Sequence, residues 1–277
     1  MLLRFTKMHG LGNDFVVIDA LSKNIHLSEV QIKRMANRNT GIGFDQLLMV
    51  EHPHTPKADF RYRIFNANGA EVEQCGNGAR CFALFVWQKK LTPKKKILVE
   101  TKTRLITCEI LDDYLISVDM GVPIFEPNLI PFNAQKILPT YTLQLNNKDT
   151  VTIGALSMGN PHAIVIVDDI SNAPVTELGA QIENHSDFPA KVNVNFLQIV
   201  DKDLAYLRVF ERDVGETKAC GSGACAAAVF AMKQGLLNHS AKLQLLGGSL
   251  TINWNEQTNN VIMIGSATRV FEGQIKL

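Results

Sequence analysis

At 277 residues the chain is long enough for two domains of roughly 100–150 residues, each with its own core. Apolar residues make up 46% and charged residues 20%, with a net charge of +1, which points away from nucleic-acid and membrane partners. No stretch approaches the roughly 18–20 apolar residues of a membrane span, and MLLRFTKMHG lacks the apolar core of a signal peptide, so a cytoplasmic protein is expected.

Leu2–Lys7 alternates and predicts a first strand, followed by the Gly-rich turn His9-Gly-Leu-Gly-Asn-Asp14 and a buried strand over Phe15–Ile18. Helical spacing of Val30, Ile32, Met35 and Ala36 after a capping serine predicts a helix from Ser28 to Arg38. Strands are expected over Leu47–Val50 and Phe60–Phe65, and then a nearly all-apolar helix over Gly78–Trp87. Ile97–Thr101, Leu105–Ile110 and Tyr114–Met120 follow as strands, the last two joined tightly at Asp112-Asp113. The proline-rich stretch from Gly121 to Pro139 is the expected crossing between domains. Beyond it, Tyr141–Leu145 and Thr150–Ser157 form a hairpin around Asn146-Asn147.

The pattern then begins again. Met158-Gly-Asn-Pro-His162 precedes the strand Ala163–Val167 as Leu11-Gly-Asn-Asp14 precedes Phe15–Ile18, which sets Asn160 opposite Asn13. A helix over Thr176–Glu183, strands over Val192–Val200 and Tyr206–Phe210, an apolar helix over Gly223–Met232 and three closing strands repeat the order. The tail Thr268–Leu277 is strand-like and is expected to return to the first sheet. Phe65–Phe85 and Phe210–Phe230 align without a gap at an offset of 145, with eight of 21 positions identical, Glu71/Glu216 and Cys75/Cys220 among them. The expected fold is a duplicated α+β unit, each copy a curled mixed sheet around a central apolar helix, since a helix apolar on nearly all faces must be surrounded. The domains are expected at residues 1–119 with 266–277, and at 120–265.

Cys75 and Cys220 each stand just before Gly-x-Gly at an expected helix start. A thiol reacts as its thiolate, and a helix start favours the anion through its unpaired N–H groups and dipole. Gly76, Gly78, Gly221 and Gly223 are expected to let the backbone bend and to leave those N–H groups uncovered, where they can also bind a carboxylate. Two such turns facing each other would supply a base, an acid and a carboxylate clamp, which suits inverting a carbon next to a carboxylate. The five cysteines are odd in number and show no Cys-x-x-Cys spacing, so neither a disulfide framework nor a metal site is expected, and a reducing compartment keeps the thiols free. Cys81, Cys108 and Cys225 are expected as buried apolar side chains. Arg80 is expected at the domain surface, paired with a carboxylate and without a catalytic role.

The segments MHGLGNDFVVID from Met8, GIGFDQLL from Gly41, EVEQCGNGARCF from Glu71, MGNPHA from Met158, VNVNF from Val192 and ERDVGETKACGSGACAA from Glu211 resemble the diaminopimelate epimerase family, in the same order and across nearly the whole chain. The resemblance implies a two-domain fold, a cofactor-free two-base mechanism and interconversion of LL- and meso-2,6-diaminopimelate in lysine and peptidoglycan-precursor synthesis. It implies Cys75 and Cys220 as acid and base. Gly76, Asn77, Gly221 and Ser222 would clamp the reacting carboxylate, and Asn13, Gln46 and Glu211 the reacting ammonium. Asn66, Asn160, Asn193 and Arg212 would hold the distal end of a substrate with two zwitterionic ends, while His162 and Glu211 would tune the thiols. A homodimer is implied, with Phe271 standing where the family often has a dimer-contact tyrosine. Asn68 and Asp213 replace the family's usual Asp and Gly. The residues also admit a proline or hydroxyproline racemase, or a thiol redox or binding protein in which Cys75 and Cys220 form a disulfide.

Overall fold

The computed structural model describes residues 2–23, 25–73, 75–146 and 149–277. The first half begins with strands β1 (Leu2–Gly10) and β2 (Asn13–Asp19), then helix α1 (Glu29–Ala36). A capping box at its start uses Ser28 and Gln31 reciprocally. β3 (Gln46–Glu51), β4 (Phe60–Asn66) and the two-residue β5 (Glu71–Val72) lead into helix α2 (Gly76–Gln88), followed by β6 (Lys96–Glu100), β7 (Leu105–Ile110) and β8 (Ile116–Gly121). The Asp112-Asp113 connection is a 3-10 turn with Asp113 at φ 57°.

The second half has β9 (Tyr141–Gln144), β10 (Thr150–Ser157), β11 (Pro161–Ile166), α3 (Val175–Glu183), β12 (Asn193–Ile199), β13 (Leu204–Glu211) and β14 (Gly215–Thr217). Helix α4 (Gly221–Lys233) and strands β15 (Ser240–Leu245), β16 (Gly248–Trp254), β17 (Val261–Gly265) and β18 (Thr268–Lys276) complete it. β9 and β10 pair antiparallel as expected, although Asn147 of their expected turn lies outside the described residues. The chain divides into two compact units, Met1–Asp119 with Ile264–Leu277, and Met120–Met263.

The same ladder of pairings is built twice. In the first unit β1–β2 is antiparallel, β2–β3 parallel, β3–β4 antiparallel and β4–β6 parallel. In the second, β10–β11, β11–β12, β12–β13 and β13–β15 repeat those four senses in order. The tail returns to the first sheet, with β18 antiparallel to β1 from Leu2↔Lys276 to His9↔Thr268. α2 packs against β1, β2, β3, β4, β7 and β18, and α4 against β10, β11, β12, β13, β15 and β16, so each apolar helix is ringed by strands of its own unit. The sheet's other face is covered in one unit by α1, through Ile32 and Met35, and in the other by α3, through Val175 and Ile182.

Candidate active site

Both Gly-Asn turns depend on a glycine in the left-handed region, Gly12 at φ 84° and Gly159 at φ 93°. The turns place Asn13 and Asn160 at the start of a parallel strand pair, with Phe15↔Gln46 in register in the first unit and His162↔Asn193 in the second. Gln46 and Asn193 are therefore counterparts. At the next inward positions the copies differ in chemistry, because Phe15 and Leu48 correspond to His162 and Asn195.

Cys75 and Cys220 are the N-cap residues of α2 and α4, both with extended backbone and neither making a side-chain capping bond. A serine or aspartate there would contribute about 1 kcal/mol of helix stability. Burial outweighs that loss, since each fully buried Val, Leu or Phe contributes about 1.5–3 kcal/mol. α4 carries Val229 and Phe230, and α2 carries Phe82, Leu84 and Phe85, all buried.

The four glycines do not form the bend expected of them. They are the first and third residues inside the two helices and avoid the left-handed region. At the third position the role is steric: a Cβ on Gly78 would lie 2.2 Å from Tyr62 Oη, and one on Gly223 would lie 2.4 Å from Asn195 Oδ1. The helix starts are pressed against neighbouring strands closely enough that only a hydrogen fits.

In the first unit Asn13 is the hub. Its Oδ1 accepts from Cys75 Sγ at 3.8 Å and from Asn77 Nδ2 at 3.4 Å, while its Nδ2 donates to Asp45 Oδ2 at 2.8 Å. Asp45 is held in turn by Arg38 Nη2 at 2.8 Å, and Arg38 also grips Asp14 at 3.0 and 2.7 Å. Burial opposes the Asp14 charge, but hydrogen bonds from Arg38 and Lys7 hold its carboxyl well below the usual range. Gln46 Nε2 donates to Asn66 Oδ1 at 2.9 Å. Gln46 Oε1 is buried with no partner among the described residues.

Arg80 departs from its expected place at the surface. It is 0% exposed, with Nε donating to Ser266 O at 3.1 Å and Nη2 to Asn77 Oδ1 at 3.0 Å. Because α2 is ringed by strands, Arg80 is buried along with its apolar neighbours, and its guanidinium satisfies groups of that interior.

In the second unit His162 is wholly buried between two amides, with Nε2 3.0 Å from Asn160 Oδ1 and Nδ1 3.2 Å from Asn195 Nδ2. Burial, reinforced by the Arg212 charge, pushes its pKa down to about 3, so the ring is neutral. Asn193 donates to Pro161 O at 2.9 Å and accepts from the Arg212 backbone N–H at 3.1 Å, which fixes the base of the Arg212 side chain. Thr217 Oγ1 donates to Glu211 Oε1 at 2.6 Å. Cys220 Sγ lies 3.6 Å from Ser222 Oγ.

The Cys220 thiol is not biased toward the anion as its helix start alone would have it. Burial, together with the Glu211 carboxylate, pushes its pKa well above the ordinary value, against Ser222 and the Gly223 N–H, which pull it down. Cys220 at rest is a thiol. Cys81 and Cys108 are buried, and burial pushes both thiols up, Cys108 to about 12, as inert core residues require.

Several supporting groups escape a reading by motif. Arg63 donates to Glu71 through Nε and Nη2 at 2.9 Å each, and Arg208 to Glu216 at 2.7 and 3.0 Å. These bidentate pairs fasten β5 to β4 and β14 to β13 just before each cysteine. Arg63 and Arg208 keep the 145-residue offset, so extending the repeat alignment back by two residues finds them. Asp213, where the family often has Gly, sits at φ 61° and pairs with Lys191, which explains both the family's preference and its replacement here. Phe271 lies apart from these groups, on β18, 47% exposed and edge-on to Phe5 at 6.0 Å.

Two pseudo-symmetric α+β units, each with a helix ringed by strands, define a fold class that includes known isomerases. A hydroxyproline epimerase from Agrobacterium vitis aligns with TM-score 0.72 at 12% identity, covering 99% of this chain and 92% of that one. A phenazine biosynthesis protein of the PhzF family from Bacillus anthracis aligns with TM-score 0.71 at 16% identity, covering 100% of both chains. These likenesses fix the fold alone. The diaminopimelate epimerase family model matches residues 5–126 and 154–270. Diaminopimelate epimerases from Pseudomonas syringae pv. syringae and Azotobacter vinelandii are 57% and 54% identical over 277 residues, 100% of each chain. The chain belongs to the diaminopimelate epimerase family and is an isomerase.

Proposed function

We propose that the chain interconverts LL- and meso-2,6-diaminopimelate in lysine biosynthesis, with Cys75 and Cys220 as the two bases. The observation that carries the reading is a cysteine at the N-cap of α2 and another at the N-cap of α4, matching places in the two units. One sulfur, as thiolate, takes the α-proton, and the C–H electron pair moves onto the carboxylate oxygens. The other, as thiol, returns a proton to the opposite face, so the cysteines exchange protonation states in each turnover. The N–H groups of Gly76, Asn77, Gly221 and Ser222 stand in the first helical turns, where donors can stabilise the enediolate-like charge. Asn13, Gln46 and Glu211 hold the reacting ammonium. The buried Gln46 Oε1, which has no partner among the described residues, supports this assignment as an acceptor that an ammonium would satisfy. Asn66, Asn160 and Arg212 hold the distal end, with Asn193 acting through the Arg212 backbone. The reaction needs no cofactor in this scheme, and the reducing cytoplasm keeps both thiols free.

The test is incubation with LL-diaminopimelate in deuterated water without added cofactor. Deuterium is expected at the α-carbon as the meso isomer forms. Folded protein that gives no exchange sinks the two-base scheme.

We also propose a homodimer formed through the β18 face, where Val270 and Phe271 are both exposed. Sedimentation equilibrium is expected to give a dimer for the native chain and a monomer for Phe271→Asp. A native monomer overturns the dimer, and a dimeric variant overturns Phe271 as its contact.

A further inference from the structure

The two Gly-Asn turns occupy equivalent places, yet their asparagines are anchored in opposite senses. An amide side chain can meet a ligand with its oxygen or its nitrogen, and its other end must be tied down to choose between them. In the first unit the tie is Asp45, whose carboxylate only accepts hydrogen bonds. It takes Asn13 Nδ2 at 2.8 Å, so Asn13 turns its oxygen toward Cys75.

In the second unit the tie runs through three residues to a backbone carbonyl. Ala163 O, which also only accepts, takes Asn195 Nδ2 at 3.0 Å and so fixes that amide. The same nitrogen lies 3.2 Å from His162 Nδ1, which must therefore accept, leaving the ring proton on Nε2. Nε2 then donates to Asn160 Oδ1 at 3.0 Å, and Asn160 is left to present its N–H groups.

We infer that Asp45 in one unit, and Asn195 with His162 in the other, are positioning residues that set these equivalent asparagines to opposite polarity. Asn13 becomes an acceptor suited to an ammonium, and Asn160 a donor suited to a carboxylate. Resting on the proposed function, this names the group of the distal end that Asn160 recognises and gives His162 a task other than tuning a thiol. It also accounts for the sequence difference at Phe15/His162 and Leu48/Asn195, since the relay needs polar residues only in the second copy. Gly223 belongs to the same device, because a Cβ there would lie 2.4 Å from Asn195 Oδ1 and push the amide from its place.

The first measurement is the ring-nitrogen spectrum of the native protein with 15N-labelled histidine. His162 is expected as the neutral Nε2–H tautomer from pH 5 to 8, and a ring protonated on Nδ1 overturns the relay. The second compares LL-diaminopimelate with L-lysine, a ligand lacking the distal carboxylate, as competing ligands. His162→Leu is expected to narrow the preference for diaminopimelate by roughly tenfold or more, the scale of one hydrogen bond to a charged group. It should raise KM far more than it lowers kcat, as loss of a contact remote from the reacting carbon does. Asp45→Asn is expected to weaken both ligands together, since both carry the α-ammonium. An unchanged preference in His162→Leu overturns the assignment for Asn160, and unchanged affinities in Asp45→Asn overturn that for Asn13. A native protein that epimerises diaminopimelate but shows the wrong tautomer sinks the relay alone, whereas one that does not epimerise it sinks both readings.

Discussion

Cys75→Ser and Cys220→Ser are each expected to lose epimerisation by roughly 10²–10⁴-fold, the scale of a removed general acid or base, while the protein becomes no less stable. Stability and activity should part because both cysteines occupy N-cap positions without a capping bond. Serine is among the preferred N-cap residues, and its hydroxyl can accept from an N–H of the first turn, contributing about 0.5–1 kcal/mol. It cannot serve as the base, because its hydroxyl is far more weakly acidic than a thiol. The gain should be clearer at Cys75, which is half-buried, than at Cys220, whose 5% exposure leaves less freedom for a new rotamer. Denaturant midpoints at constant m-value measure the first effect, and α-proton exchange measures the second. A serine variant with near-native turnover would show that the pair is misassigned. One that unfolds the unit would show that the thiols are structural.

The repeat, the two ringed helices and the burial of Cys81 and Cys108 as apolar side chains were legible because each is a local property of composition and spacing. An apolar helix must be surrounded, and a cysteine inside one is a core atom whatever surrounds it. What the sequence hid are contacts made across the fold. Gly78 and Gly223 are required by Tyr62 and Asn195, which reach them from strands distant in the chain. Arg80 looked like a surface charge because its partners, Ser266 O and Asn77 Oδ1, are a backbone carbonyl and an amide and carry no charge signature. Asp45 stood beside the singled-out Gln46 without a role, since no pattern reveals which end of a neighbouring amide is tied. The helix start predicted an anion-favouring site at Cys220, and that local effect is present in the Gly223 N–H. Burial and Glu211, both tertiary, outweigh it.

Glu211→Gln is expected to move two properties of the second unit in opposite directions. Burial comes first among the causes that raise the Cys220 thiol, and the Glu211 carboxylate adds to it. Glutamine keeps the shape and can still accept from Thr217 Oγ1, the bond that measures 2.6 Å in the native site, but removes the charge. The thiol pKa should therefore fall, and the pH midpoint for alkylation of Cys220 by iodoacetamide should shift downward. The midpoint is the quantity to follow, since the rate itself is limited by access to a buried sulfur. A thiol raised in the folded state stabilises that state while protonated, and the contribution is lost as pH rises beyond the unfolded thiol value of about 8.5. The native protein should lose stability there more steeply than the variant. Catalysis should move the other way, with kcat/KM falling by roughly 10²–10³-fold, because the substrate ammonium loses its charged partner. In the native enzyme that ammonium would neutralise Glu211 as it binds, relieving the charge that keeps Cys220 protonated. The thiol would then be readied only when there is a proton to take. If the alkylation midpoint stays put or rises, Glu211 does not govern the thiol; if kcat/KM is unchanged, it does not hold the ammonium.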